Sequence, residues 1–134
     1  MTKNDQQDLR LVRVFPEDLE KVLASLPRTS ERTKDWCRDF FVRGLSTVEI
    51  GRSYGVEPQH VGNKVRAIRA KLADQASPLS YVEVTLSVPI AIAQEMQALY
   101  SDAEVMASRE VAEETLQPIL KALATARKKA KEAR

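Results

Sequence analysis

The sequence is poor in the residues that carry most enzyme chemistry and most cross-links. Its 134 residues include one cysteine (Cys37), one histidine (His60) and one tryptophan (Trp36). One cysteine excludes an internal disulfide, and one histidine without cysteine or histidine partners does not make a zinc site. No paired carboxylates, glycine-rich phosphate loop or nucleophile beside a base is evident. We therefore expect no enzyme activity, no metal and no cofactor.

Long apolar runs are also missing. No stretch approaches the roughly 20 apolar residues that span a bilayer. Residues 1–8 are polar and do not resemble a signal peptide. Together with the single cysteine beside Trp36, these features predict a protein of the reducing cytoplasm that has no membrane partner.

Charge is nearly balanced overall, at a formal +2, but it is segregated along the chain. Residues 43–74 contain six Lys/Arg and three Asp/Glu. Residues 78–117 contain one Lys/Arg and seven Asp/Glu, and residues 127–134 contain five Lys/Arg and one Asp/Glu. This pattern indicates that different segments bind different partners, with an ordinary solvated surface as the alternative.

Helical spacing of apolar residues dominates the sequence. Proline, glycine and capping signals delimit four helices in the first half of the chain. They are predicted over Pro16–Leu26, Ser30–Arg43, Ser46–Tyr54 and Pro58–Ala73. In contrast, residues 81–88 alternate between apolar and polar, which predicts one strand, and Leu9–Phe15 shows a weaker form of this pattern.

The predicted fold is mainly α. Residues 1–14 form an arm or a short strand, and residues 15–76 form a helix-turn-helix domain. Residues 79–102 form a strand-helix dimerisation element, and residues 103–134 a C-terminal helix with a basic tail, whose helix we expect to begin with a Ser101/Glu104 capping box.

The helix-turn-helix is predicted over residues 47–66. Its apolar positions are filled by Ile50, Tyr54, Val56, Val61 and Val65. Two crossing helices need a small residue where they touch and a left-handed residue in the turn, and Gly51 and Gly55 fit these positions. The alternative is an ordinary helical hairpin with a glycine turn.

The second helix of this unit is the predicted recognition helix, lying in the major groove of DNA. Opposite its apolar stripe it carries Gln59, Asn63 and Arg66, which suit hydrogen bonding to adenine or guanine edges. A solvated helix face or surface charges are the alternatives. The side chains expected at the DNA backbone are Arg43, Ser46, Thr47, Arg52, His60, Lys64, Arg69 and Lys71.

Residues 45–74, followed by Tyr81, Val84, Thr85, Val88 and Pro89, resemble the TrfB family of plasmid transcriptional repressors. That family has a helix-turn-helix before a segment of the form Tyr-x-x-Val-Thr-x-x-Val/Leu-Pro, and the resemblance covers about residues 16–102. It implies a cytoplasmic homodimer that represses genes of plasmid maintenance or transfer. Asn63 stands where the family has a glutamine that contacts the operator, so a different operator is implied.

A single strand leaves its own backbone groups unpaired, so we expect residues 81–88 to pair antiparallel with a second copy. Pairing with Leu9–Phe15 of the same chain is the alternative. The apolar residues assigned to the dimer are Val82, Val84, Leu86, Val88, Ile92, Met96 and Leu99.

These features predict a homodimeric repressor that binds palindromic double-stranded DNA. The competing hypothesis is an architectural or partition-type adaptor, which recruits another protein through its C-terminal helix.

Overall fold

The structure is a computed structural model, and it describes residues 10–102 and 104–133. Within these ranges the chain is mainly helical, as predicted, with a small antiparallel sheet. The elements are β1 (Arg10–Arg13), α1 (Pro16–Ala24), α2 (Glu31–Phe41), α3 (Thr47–Tyr54), α4 (Pro58–Leu72), β2 (Tyr81–Glu83), α5 (Ile90–Asp102), a 3-10 helix (Val105–Ala107) and α6 (Arg109–Glu132). None of the helices in these ranges is long and apolar enough to cross a bilayer.

The chain divides into two compact units between Thr85 and Leu86. This division cuts through the predicted dimerisation element at residues 79–102, because β2 belongs to the first unit and α5 to the second. The assignment of residues 79–102 to a dimerisation element stays a prediction.

The sheet corrects the prediction for residues 81–88. β2 covers only Tyr81–Glu83 and pairs antiparallel with β1 of the same chain, with Arg10 opposite Glu83 and Leu11 opposite Val82. Pairing of the strand with a second copy stays a prediction, and for these three residues the intrachain alternative is observed. The physical reason is proximity, since β1 leads into the same core and supplies the backbone partners that β2 needs.

Helices α1 and α2 begin where the sequence predicts. Pro16 occupies the first turn of α1, and the Ser30 hydroxyl caps α2 by accepting a hydrogen bond from the Thr33 amide at 3.1 Å. Both end about two residues early, at Ala24 and Phe41. They bury one apolar core together with α3, α4 and β1. Its most enclosed side chains include Leu19, Leu23, Trp36, Cys37, Phe41, Ile50, Val61, Val65 and Leu72.

The second unit contains α5, the 3-10 helix and α6. Val105 and Met106 of the 3-10 helix are buried, as are Ala112 and Leu116 of α6. Ser108 caps α6 by accepting a hydrogen bond from the Val111 amide at 3.1 Å. The expected Ser101/Glu104 capping box is wrong, because Ser101 lies inside α5.

Candidate nucleic-acid interface

The connection between α3 and α4 is a tight glycine turn. Gly55 ends α3 in the left-handed conformation, with φ 70° and ψ 35°. The amide of Val56 donates a hydrogen bond to the Gly51 carbonyl at 2.9 Å. A Cβ atom on Gly51 would lie 2.6 Å from the carbonyl oxygen of Val56. The predicted roles of Gly51 as the small contact and Gly55 as the turn residue are therefore confirmed.

The start of α3 is fixed by a reciprocal cap. The Ser46 hydroxyl accepts a hydrogen bond from the Glu49 amide at 3.1 Å, and a Glu49 carboxylate oxygen accepts one from the Ser46 amide at 2.8 Å. The second bond is the main reason that the pKa of Glu49 is lowered. The predicted capping box is confirmed, and Ser46 is an exposed residue whose hydroxyl is already used at the helix end.

The two faces of α4 differ as predicted. Val61, Val65, Ile68 and Leu72 are buried in the core. Gln59, Asn63 and Arg66 are exposed on the other side, and a guanidinium nitrogen of Arg66 donates to the Asn63 side-chain oxygen at 3.4 Å. An exposed row of hydrogen-bonding side chains on a helix anchored from behind has the form that contact with base edges requires. Base contact itself stays a prediction.

A polar groove of about 610 Å³ runs beside this face. It brings the three predicted base-contacting residues together with side chains from β1, α2 and α3. Its lining residues are Arg10, Phe40, Thr47, Pro58, Gln59, Gly62, Asn63, Val65, Arg66 and Arg69. Arg10 and Phe40 were not among the candidates from the sequence.

Most of the residues predicted to contact the DNA backbone are accessible. Arg52, His60, Lys64 and Lys71 are exposed, and Thr47 is half-buried at the groove. Arg43 forms an ion pair with Asp39 although 62% of its side chain is exposed. These residues remain accessible to a ligand.

Arg69 has a different environment from the other candidates. Its Nε donates a hydrogen bond to the Leu11 carbonyl at 2.8 Å, and its guanidinium lies 5.6 Å from the centre of the Phe40 ring. Burial is the main cause of the lowered pKa of Arg69. The side chain therefore joins α4 to β1, a role that the sequence analysis missed because the two residues are 58 positions apart.

Trp36 supports the turn from behind. Its ring lies edge-on to Tyr54 at 6.1 Å and to His60 at 5.4 Å, measured between ring centroids. The guanidinium of Arg32 lies 5.3 Å from the Trp36 ring and donates to the Tyr54 carbonyl at 3.1 Å. These contacts hold the end of α3 and the start of α4 against α2.

The residues assigned to the dimer are mostly uncovered in the single chain. Those at least 37% exposed are Val82, Val84, Leu86, Val88, Ile92 and Met96, while Leu99 is half-buried. Leu86 is the extreme case, with 71% of its surface exposed. Exposed apolar residues are what an interface with another molecule requires, and dimerisation through these residues stays a prediction.

No family model matches the chain, and no curated protein does either. Among residues 10–102 and 104–133 there is no group of three or more histidine, cysteine or acidic side chains that could hold a metal ion.

Proposed function

We propose that this protein is a helix-turn-helix transcriptional repressor that binds palindromic double-stranded DNA as a homodimer. The observation that carries the proposal is the exposed face of α4, with Gln59, Asn63 and Arg66 side by side on a helix whose opposite face is buried. The TrfB resemblance adds that the regulated genes belong to plasmid maintenance or transfer.

The turn supports this proposal because it fixes how α4 is presented. Gly51 brings α3 within backbone contact of the segment that leads into α4, and Trp36 packs beneath both. A recognition helix must hold its side chains at a set depth in the major groove, since misplacement loses bidentate base contacts. The small residues Gly62, Ala67 and Ala70 leave room for close approach along α4.

Positive charge flanks the same face. Arg52 on α3 and Lys64 and Lys71 on α4 are exposed. Lysine and arginine beside a recognition helix bind phosphates and fix its register on the duplex, and they contribute most of the non-specific affinity. We place these residues at the DNA backbone and Asn63 at a base edge.

Dimerisation is supported by the uncovered apolar residues between Val82 and Met96. In this proposal the outer edge of β2 and the segment after it meet their copies across a two-fold axis. Two copies of α4 then bind two half-sites. One helix alone contacts too few base pairs to specify a DNA site. Intrachain pairing with β1 leaves the second edge of β2 for this contact.

A selection on random duplexes followed by footprinting tests the proposal. A repressor of this kind enriches a short palindrome and protects both half-sites. Asn63→Ala then lowers affinity for the selected site by about 1–3 kcal/mol while binding to random duplex barely changes. Gln117→Ala, an exposed amide change on α6, is the control. Equal losses on specific and random DNA exclude α4 as the reading element.

The alternative is an architectural or partition-type adaptor. It is favoured by α6, where Ile119, Leu120 and Leu123 are exposed beside a basic end. Such a helix suits a protein partner of opposite charge. In the footprinting experiment an architectural protein would coat the duplex with little preference, which separates the two functions.

A further inference from the structure

Three guanidinium groups line the groove beside α4. Arg10 comes from β1, and Arg66 and Arg69 come from α4. Among the lining residues in the described part of the chain, every charged one is an arginine. Two separate elements therefore bring positive charge to one concave surface.

The arginines repel one another at this surface. The pKa of Arg69 is lowered first by burial, and the nearby charges of Arg10 and Arg66 lower it further, while Glu83 acts in the opposite direction. Glu83 lies 3.7 Å from a guanidinium nitrogen of Arg10, and both side chains are more than 60% exposed. One solvated carboxylate compensates three arginines only weakly, because solvent screens exposed ion pairs.

Arg69 also has spare hydrogen-bonding capacity. Its Nε donates to the Leu11 carbonyl, but its Nη2 is buried and has no hydrogen-bond partner among residues 10–102 and 104–133. A buried donor without an acceptor costs free energy. An anion with several acceptor oxygens bound in the groove would relieve the repulsion between the arginines.

We propose that this groove is an oxyanion site for a phosphate group, and that the phosphate belongs to the DNA backbone. The proposal rests on the DNA-binding function proposed above. Arg10 and Arg66 contact the phosphate oxygens, since the planar guanidinium fork matches phosphate geometry. Arg69 acts mainly as a positioning residue, because its bond to Leu11 holds β1 beside α4.

This assignment makes β1 part of the DNA-binding surface. The position of Arg10 depends on two restraints on its strand, the pairing with β2 and the bond from Arg69 to the neighbouring Leu11. A phosphate bound there fixes the rotation of α4 in the major groove without contributing sequence preference.

Arg10→Gln in the full chain tests the site, and the substitution should fold because the Arg10 side chain is 61% exposed. We expect affinity for the selected operator and for random duplex to fall by the same factor. The slope of log affinity against log salt should decrease in magnitude by about one. Lys21→Gln removes a positive charge from the exposed surface of α1 and should change neither quantity.

A second measurement uses inorganic phosphate and no DNA. At constant ionic strength, phosphate in place of chloride should raise the thermal midpoint of the natural protein, and by less in Arg10→Gln. If phosphate stabilises but DNA affinity and salt slope match those of Lys21→Gln, the ligand is a free phosphate compound and the DNA assignment is refuted. If neither the DNA-binding measurements nor the phosphate-dependent thermal midpoint distinguishes Arg10→Gln from Lys21→Gln, the oxyanion site is refuted.

The two proposals fail separately in these experiments. Loss of sequence preference in Asn63→Ala tests the role of α4 as the recognition helix, and this test does not depend on Arg10. If the natural protein binds no DNA at all, the repressor proposal fails, while the phosphate-dependent midpoint still decides whether the groove binds an oxyanion.

Discussion

The α-carbon of Gly51 lies so close to the Val56 carbonyl that a methyl group on Gly51 would be 2.6 Å from its oxygen. The same methyl group would lie 3.3 Å from the Pro58 nitrogen. These neighbours are backbone atoms and cannot rotate away. Gly51 therefore sets the separation between α3 and the segment that leads into α4.

Gly51→Ala should destabilise the protein, because relieving this overlap requires the turn to shift. We expect the free energy of unfolding, measured by urea denaturation, to fall by about 1–3 kcal/mol, the usual cost of overpacking. Gly62→Ala is a matched control, since its Cβ would meet nothing closer than the Thr47 methyl group at 4.0 Å. Alanine favours helix at this position, so Gly62→Ala should be neutral or stabilising by up to about 1 kcal/mol. Equal losses in both variants would contradict the role of Gly51.

Val84→Glu should separate the proposed homodimer into monomers, because a buried interface does not tolerate an unpaired carboxylate. The side chain is 54% exposed in the single chain, so the variant should still fold. Sedimentation velocity measures the effect. Val48→Glu is the control, since Val48 is 49% exposed on α3 and outside the assigned interface. A tight dimer of Val84→Glu would rule out this surface.

Cys37 should be unreactive in the native protein. Its side chain is fully buried, and burial raises the pKa of its thiol to about 12 because the thiolate is disfavoured there. A thiol reagent at neutral pH should modify Cys37 only as fast as the first unit opens, and the rate should rise with denaturant. Ser53→Cys in a Cys37→Ala background gives an exposed thiol for comparison. Comparable rates for the two thiols would show that the core around Trp36 is open.

Glu20 and Arg38 should give the protein a small acid sensitivity. The pKa of Glu20 is lowered mainly by the hydrogen bond from Arg38, at 2.8 Å. A lowered folded-state pKa means that the pair stabilises the protein above the ordinary pKa of 4.5 and that this stability is lost as pH falls below it. Because Glu20 is 49% exposed, we expect the pair to contribute less than about 1 kcal/mol to the free energy of unfolding. In urea titrations at several pH values, Glu20→Gln should be less acid-sensitive than Glu95→Gln, and identical profiles would contradict this role.

Local signals in the sequence predicted local structure well. Ser46 with Glu49 and the left-handed Gly55 each act over one turn of chain, so their residue types alone decide the geometry. The exposed position of Asn63 followed from helical spacing in the same way. Its contact with DNA depends on a partner molecule, which no spacing pattern contains.

Non-local relationships could not be predicted in this way. Alternation extends to Val88, but β2 ends at Glu83 because a strand needs a paired backbone as well as a pattern. The bond between Arg69 and Leu11 depends on how α4 and β1 pack, which is a property of the whole unit. Ser101 and Glu104 have the spacing of a cap, yet serine is tolerated within a helix, and Ser108 caps α6 instead.

Because Trp36 contacts His60, the first turn of α4 can be monitored by intrinsic tryptophan fluorescence without an added label. Trp36 is the only tryptophan in the chain, so its emission comes from one place, where an imidazole lies 5.4 Å from the indole. Movement of this turn changes the surroundings of the fluorophore directly. The protein thus contains an intrinsic fluorophore in contact with the helix that we place against DNA.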